Sequence, residues 1–516
     1  MSHKVTVLGI DLGTSSVKVV VARLDGSVAG QAASDYPVVS TRPGWSETSP
    51  ADWLGATAFA VRAAVVRAGA DPVAIGLSGQ MHGVVPTAGD GRPVRPAMLW
   101  SDARATAELR LYRLLPTAVR TRLANPLSPG MAGPMLAWLA VNEPAAYAAM
   151  RWALQPKDWL RAQLTGRFAT EPSDASATLL YDVAGDTWDA DVLDALGLDA
   201  GKLPPLLARS AERAGTLTRD AAALLGLPTG IPVAAGAADT AAAALGSGLT
   251  EPGTVQLTIG TGAQLVKPVA SLPDPLTTTP VAHLYRAATD TGWYTMGAVL
   301  NAGLALSWVC RALGADWHQL YASAAMAPRP DDPFFLPHLH GERTPYLDPG
   351  LRGAWTGLGP RHDRPNLLRA ALEGVAFAVG DALEFVLAPG EKVAHLRLAG
   401  GGSTDPAWRQ MLADILGRAL APVEVPAASG LGAALLGARA AGLTDQRTFA
   451  PRTAGVSAVI AARDADRDLY RERHQAFRRR VQALRDIDND TVGIAGSALP
   501  CAVPAPALIP APTPKR

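Results

Sequence analysis

A chain of 516 residues with 48% hydrophobic and 18% charged residues has room for two or more folded domains, because single cores stop growing near ~250–300 residues. Its 47 basic and 46 acidic residues leave a formal net charge of +1. With no basic or acidic block, it offers neither a nucleic acid nor an anionic membrane an electrostatic footprint.

In chain order, the runs KVTVLGI and VKVVVARL read as two strands around a Gly-Thr-Ser-Ser turn. This hairpin tip gathers Asp11, Gly13, Thr14, Ser15, Ser16 and Lys18. Turn amides and hydroxyls can donate to phosphate oxygens, and Lys18 can neutralise them. Asp11 can hold Mg2+ through water, since that ion keeps several waters and takes few carboxylates. A plain Asx-type turn closing an ordinary hairpin accounts for the same residues. The apolar stretch after Lys4 is broken by Asp11, too early for a signal-peptide core. The segment SPADWLGATAFAVRAAVVRAG reads as a helix, with Ser49 at the cap, Pro50 in the first turn and Asp52 at the capping-box position. Trp53, Thr57, Ala60, Val61, Ala64 and Val65 share its apolar face. VAIGLSGQMHGVV returns to strand and loop.

Further on, IPVAAGA reads as a strand that delivers Asp239 to a helix start, DTAAAALG. A carboxylate is favoured as an N-cap there in its own right. The positive helix end is expected to keep it ionised at neutral pH, ready to accept a hydroxyl proton. The stretch 233–245 contains this Asp and is too short to span a bilayer. With Cys310 and Cys501 too far apart in the chain to suggest a disulfide scaffold, the protein reads as soluble and cytoplasmic.

The pattern then restarts. GSGLTEPG supplies linker chemistry, and GTVQLTIGTGAQLVKPVA resembles the opening hairpin, with Gly260, Thr261 and Gly262 at its tip. Two such hairpins suggest two duplicated domains facing a shared ligand. HLRLAGGGSTDPAWRQMLADILG reads as strand, glycine turn and helix. Gly400, Gly401 and Gly402 precede a cap at Thr404 or Asp405, then Pro406, and Trp408, Met411, Leu412, Ile415 and Leu416 form the buried face. Helix N-terminal amides favour anions, although close helix–strand packing also explains such glycines. The alternation of strands and helices argues an α/β fold. Domains are expected over 1–247 and 248–489. After RERHQAFRRRVQALRDI the folded part should end, and 490–516, with six prolines between 500 and 514, fits an extended tail.

Familiar nucleotide signatures are missing. There is no G-x-x-x-x-G-K-[ST], and GLGAALLG has Leu435 where a dinucleotide fingerprint needs its third glycine. No His/Cys cluster has zinc spacing and no G-x-S-x-G occurs, so hydride and acyl transfer lose their support.

The motifs GIDLGTSSVKV, PGWSE, GQMHG, LWSDAR, PKDWL, GAADTAAAALG, TIGTG, FLPHLHGERTP, LEGVAFA, GGGSTDPAWRQMLADILG and GAALLGARAAG together resemble carbohydrate kinases of the FGGY family, and among them the D-xylulose kinases. The resemblance runs from about residue 5 to about residue 484. It implies two duplicated actin/hexokinase-like (ribonuclease H-like) domains, with ATP and a small sugar in the cleft between them. It carries Asp239 onto the catalytic base and Asp11 onto the residue near Mg2+ and the transferred phosphoryl group. Gln80, Met81 and His82 fall on the sugar loop, and Trp100, Asp102 and Arg104 lie on a second loop near that pocket. Gly13, Thr14, Ser15 and Lys18 fall on the phosphate hairpin. The turns Gly260–Thr261–Gly262 and Gly400–Gly401–Gly402 fall on the nucleotide side.

Bland readings stand beside these. A lone histidine in a Gly-rich loop is often merely exposed, and Glu342–Arg343 of GERTP can be a structural ion pair. The sequence also departs from the family pattern: Thr240 follows the catalytic Asp where Asn is common, and Ser101 replaces an Asn of the second loop. A threonine cannot offer the two amide donors of Asn, which loosens the identity of the sugar but spares the base. The expected reaction is ATP- and Mg2+-dependent phosphorylation of D-xylulose to D-xylulose 5-phosphate. Rivals are kinases of another pentulose, a polyol or a heptulose and, from a different class, a non-catalytic nucleotide-switched actin-like module. The implied partners are the sugar and ATP, with a homodimer allowed and no nucleic acid or membrane.

Overall fold

The computed structural model describes residues 5–492 apart from 389, 392, 394, 425 and 446–457. The opening hairpin forms from its two apolar runs: β1 (Thr6–Leu12) pairs antiparallel with β2 (Ser16–Arg23), and β3 (Val28–Asp35) continues beside β2. Helix α1 (Pro50–Ala68) then carries the chain across the sheet, so that β4 (Ile75–Gly79) lies parallel to β1. The predicted face of α1 is buried at Trp53, Thr57, Ala60, Val61 and Ala64, while Val65 is half-buried. Ser49 stands at the N-cap, but its side chain makes no capping bond. Strands β5 (Arg213–Thr216), β6 (Pro232–Ala234) and β7 (Ala237–Ala238) complete a seven-stranded sheet ordered β5-β6-β4-β1-β2-β3, with β7 joined to β4.

The second half repeats this plan. Strands β8 (Val255–Ile259), β9 (Ala263–Val269), β10 (His283–Arg286), β11 (Trp293–Val299), β12 (Leu396–Ala399) and β13 (Leu420–Pro422) form a six-stranded sheet ordered β10-β11-β9-β8-β12-β13. The run β3-β2-β1-β4-β6 matches β11-β9-β8-β12-β13, strand by strand and direction by direction. The likeness of two hairpins is thus the visible part of a duplicated α/β sheet, the mixed-sheet arrangement of the actin/hexokinase-like fold.

Helices fill the remaining layers. They include α2 (Asp239–Gly246), α3 (Gly303–Leu313), α4 (Arg364–Val386), α5 (Pro406–Leu416), α6 (Ala428–Ala440) and α7 (Arg467–Val492). Helix α7 continues past Ile487, where the folded part was expected to stop. The proline-rich stretch and Cys501 lie outside the described residues. Among the described residues no helix is long and apolar enough to cross a membrane.

Helix α6 comes from the second half of the chain yet packs on the first sheet, over β1 and β4 and beside α2. Backbones approach closely there. A Cβ on Gly9 would stand 1.9 Å from the Gly430 carbonyl oxygen, and one on Gly76 would stand 1.8 Å from that of Ala433. Within the GLGAALLG run, a Cβ on Gly432 would stand 1.9 Å from the Ala242 carbonyl oxygen of α2 and one on Gly437 2.7 Å from the Gly76 amide nitrogen, so close packing on helix and strand accounts for these glycines without a dinucleotide.

Candidate active site

Parallel pairing brings three chain segments to one edge of the first sheet. Ser78 of β4 lies between Asp11 of β1 and Ala237 of β7. Asp239 follows two residues later, so both acids emerge at the carboxyl ends of the strands, where open α/β sheets place their ligands. Ala238 occupies the N-cap, and Asp239 is the first helical residue rather than the cap. Its Oδ1 accepts from the Thr240 amide at 2.5 Å and from Thr240 Oγ1 at 3.1 Å.

The expectation that the helix end keeps Asp239 fully ionised is corrected by its surroundings. Burial, with the Asp11 carboxylate close by, pushes Asp239 up to about 7, and the Thr240 bonds only partly offset this. Asp11 is raised as well, by burial, against the lowering pull of Lys18 and of the bond that Ser78 Oγ donates at 3.3 Å. Two adjoining acids with unfavourable desolvation suit a divalent cation. Among the described residues no group of three or more His, Cys, Asp or Glu could hold a metal. The protein thus supplies at most a pair of carboxylates, a donor set that fits Mg2+ completed by water and phosphate oxygens.

The hairpin tip is held from several sides. Tyr36 Oη donates to the Gly13 carbonyl, as does Gln80 Nε2 at 3.0 Å. Trp100 Nε1 donates to Thr14 Oγ1 at 2.9 Å, and the Tyr36 amide donates to Ser15 O at 3.0 Å. Gln80 is thereby a support of the β1–β2 tip, while its buried Oε1 has no protein partner. Met81 is buried in the core, where its sulfur accepts from Tyr294 Oη. His82 adopts a left-handed backbone, φ 74°, uncommon outside glycine and typical of functional positions. Burial, chiefly, lowers it to about 4, and its Nδ1 lies 2.8 Å from Ala177 O. The imidazole is neutral with the proton on Nδ1, which leaves Nε2 as a free acceptor.

Asp102 and Arg104 form a tight ionic cluster. Asp102 accepts from the Ser46 amide at 2.7 Å and from Arg104 Nε at 2.9 Å. Arg104 also bonds Glu47 at 2.6 Å and covers the Trp45 ring at 3.6 Å. Asp102 has spent its oxygens on the protein; Arg104 Nη1 remains unpartnered. Thr240 Oγ1, besides donating to Asp239, accepts from Gln264 Nε2 of β9 at 3.3 Å, a bond between the two halves.

The second sheet offers the matching edge. The Gly260 amide closes the β8–β9 tip on Gly262 O at 2.8 Å. Gly400, at φ 96°, lies against Ile259 at the end of β8, and a Cβ on Gly401 would meet nothing within 4 Å. Glycine turns from two adjacent strands therefore share one open face. Of the two expected caps of α5, Asp405 is the one that forms, and it takes the Ala407 and Trp408 amides at 2.9 and 3.0 Å. Those amides are no longer free for an anion.

Sequence reasoning missed the supports. Lys157, Asp158, Arg161, Glu171 and Asp174 form a wholly buried ionic cluster. Arg161 Nη1 holds Ala235 O at 2.7 Å, and Ser173, bonded to Glu171, accepts the Ala238 amide at 3.0 Å. This cluster fixes the backbone leading into Asp239. Adjacent Lys157 and Asp158 in PKDWL are visible in sequence, but nothing local says that they are buried.

Comparison with known proteins agrees with this geometry. The model of the N-terminal domain of the FGGY family of carbohydrate kinases matches residues 6–246, and that of the C-terminal domain matches residues 253–441. A xylulose kinase of Escherichia coli K12 is 36% identical over 417 residues, covering 80% of this chain and 85% of that protein. A glycerol kinase of Alkalilimnicola ehrlichii is 34% identical over 475 residues, covering 86% and 92%. The crystal structure described as a xyloylose kinase from Brucella ovis superposes with a TM-score of 0.86 at 34% identity, covering 93% of this chain and 100% of that one. With a family model on each half and both halves folded as a duplicated sheet, the chain belongs to the FGGY family of carbohydrate kinases.

Proposed function

We propose that this kinase transfers the γ-phosphoryl group of ATP to the terminal hydroxyl of a ketopentose, D-xylulose giving D-xylulose 5-phosphate. The observation that carries the reading is Asp239, pushed up to about 7 at the strand ends beside Asp11. A base poised near working pH combines a usable ionised fraction with real proton affinity. Asp239 orients the acceptor hydroxyl and takes its proton as the oxygen attacks in line. Because phosphoryl transfer passes through a loose transition state, orientation counts for more than base strength.

The Gly13–Thr14–Ser15 tip with Lys18, the Gly260–Thr261–Gly262 tip and the Gly400–Gly401–Gly402 turn cradle the phosphates. Mg2+, when bound, neutralises phosphate charge, and Asp11 would hold it through water. On the sugar side, His82 Nε2 and Gln80 Oε1 accept hydrogen bonds from sugar hydroxyls, and Trp100 and Met81 border the pocket. Asp102, Arg104 and Thr240 shape it through their neighbours.

A coupled assay of ADP release over a panel of ketoses and polyols tests the assignment. D-xylulose should give the highest kcat/KM and an absolute dependence on Mg2+. ADP release indifferent to every sugar would instead mark a nucleotide switch and overturn the reading.

A further inference from the structure

Arg343 is the charged group of the cleft that this mechanism leaves without a task. Its neighbour Glu342 makes no direct ion pair with it, although the Glu342 charge favours the guanidinium from a distance. Glu342 Oε1 accepts the Leu300 and Arg343 amides at 2.7 and 2.9 Å, and Oε2 accepts Asn301 Nδ2 and His338 Nδ1 at 3.3 and 3.1 Å. The GERTP ion pair therefore does not form. The same bonds, with the Thr344 amide on Ala298 O at 2.9 Å, pin the backbone around Arg343 to the end of β11.

The guanidinium reaches across to the first half, its Cζ 5.2 Å from the centre of the Trp100 ring. Among the described residues it meets no carboxylate and donates no hydrogen bond. The rings grouped near it carry no charge. His82, His283 and Tyr285 lie with ring centres 5.2–6.3 Å apart, and His283 Nδ1 is 2.6 Å from Tyr285 Oη. Burial holds both histidines uncharged, with the nearby Arg343 charge acting in the same direction. Leaving a cation half-buried without a partner is costly, so a ligand oxygen is the natural complement.

Acceptor chemistry says which oxygen. A 2-ketopentose closes its ring through the C5 hydroxyl, the same hydroxyl that receives the phosphoryl group. The reacting sugar must therefore be open-chain, with a free carbonyl at C2. We infer that Arg343 is a specificity-determining residue whose planar fork donates to the C2 carbonyl and C1 hydroxyl of the bound ketose, away from the hydroxyl at Asp239. A guanidinium suits two neighbouring acceptors in a way that a point charge does not. An alditol of the same length lacks the carbonyl and forfeits that contact.

This rests on the ketose-kinase reading, and its test keeps the two apart. KM for D-xylulose, KM for ATP, kcat, and Ki for xylitol as competitor are measured for wild type, R343Q and R343K. R343Q should raise the ketose KM roughly 10- to 100-fold, the worth of a charged hydrogen bond. The xylitol Ki and ATP KM should stay within about twofold, and R343K should recover part of the loss. A wild type that releases no ketose-dependent ADP defeats the parent reading. An active wild type alongside R343Q with unchanged ketose KM, with equal losses for ketose and alditol, or with a raised ATP KM alone defeats this inference. Should R343Q melt early, the same ketose-to-alditol ratio is read on R343K, and an unaltered ratio there is likewise fatal.

Discussion

Replacing Asp239 by Asn separates proton transfer from architecture. The amide keeps the size of the side chain, and its oxygen can still accept from Thr240, but it cannot take the hydroxyl proton. kcat should fall by about 10²–10⁴, the usual worth of a positioned base. The pH dependence carries the sharper signature. A carboxyl raised to about 7 is ionised in about a tenth of molecules at pH 6, half at pH 7 and nine-tenths at pH 8. Wild-type kcat/KM should climb through that window, whereas the variant's residual rate stays flat. His82, lowered to about 4, does not titrate there.

Stability runs the opposite way. Unfolded, this carboxyl ionises near 3.8, and folded near 7, so the fold favours its neutral form. That contribution is fully present below pH 3.8 and lost as pH rises through 7. The full gap corresponds to ~4 kcal/mol, and solvent reaching this half-buried group trims it to about 1–2 kcal/mol. D239N should therefore melt above wild type at pH 8 and level with it at pH 4, measured by scanning calorimetry beside the coupled assay. A variant that turns over near the wild-type rate, or melts lower at pH 8, refutes the reasoning.

Three further outcomes follow from neighbouring contacts. Asp11→Asn should lower kcat at least tenfold and raise the Mg2+ concentration needed for half-maximal rate; by removing the charge that raises Asp239, it should also move the midpoint of the pH profile below 7, and an unmoved midpoint counts against the pairing. Thr240→Val breaks the bonds to Asp239 and Gln264, each worth about 0.5–1.5 kcal/mol, so kcat should drop a few-fold to about tenfold while ATP KM holds; a changed ATP KM would place Thr240 elsewhere. Gly76→Ala drives a Cβ to 1.8 Å from the Ala433 carbonyl oxygen, and overpacking of this kind costs about 1–3 kcal/mol; an unaltered melting temperature would show that α6 gives way freely.

What could be read from the chain followed the range of the interactions. Strand-and-turn chemistry is local, so the two hairpins, the α1 face and the α5 face were all legible. Cap positions were close but not settled, because Thr404 and Asp405 are both competent and only the backbone path selects Asp405. Ionisation was misjudged at Asp239 because helix polarity is a local feature, whereas burial and the Asp11 charge come from a strand more than two hundred residues away. The same holds for Arg343. Next to Glu342 in sequence, it looks paired, yet Leu300, Asn301 and His338 claim that carboxylate from two other segments of the chain, and Arg343 gives it only its backbone amide.

The proposed site draws on both halves of the molecule. The first sheet supplies the acids, the phosphate hairpin and the histidine loop; the second supplies the open glycine face, Gln264 on Thr240, and Arg343 over Trp100. Helix α6 joins them with a contact in which no side chain separates Gly9 and Gly76 from Gly430 and Ala433. A glycine contact lets the backbones approach closely, and it has no interlocking side chains to resist sliding or rotation. That combination suits two bodies that turn about a fixed line while their strand ends close on a ligand. Polar links across the cleft, such as Gln264 to Thr240, carry only about 1 kcal/mol each. Sugar and nucleotide oxygens can therefore compete with them for the same donors.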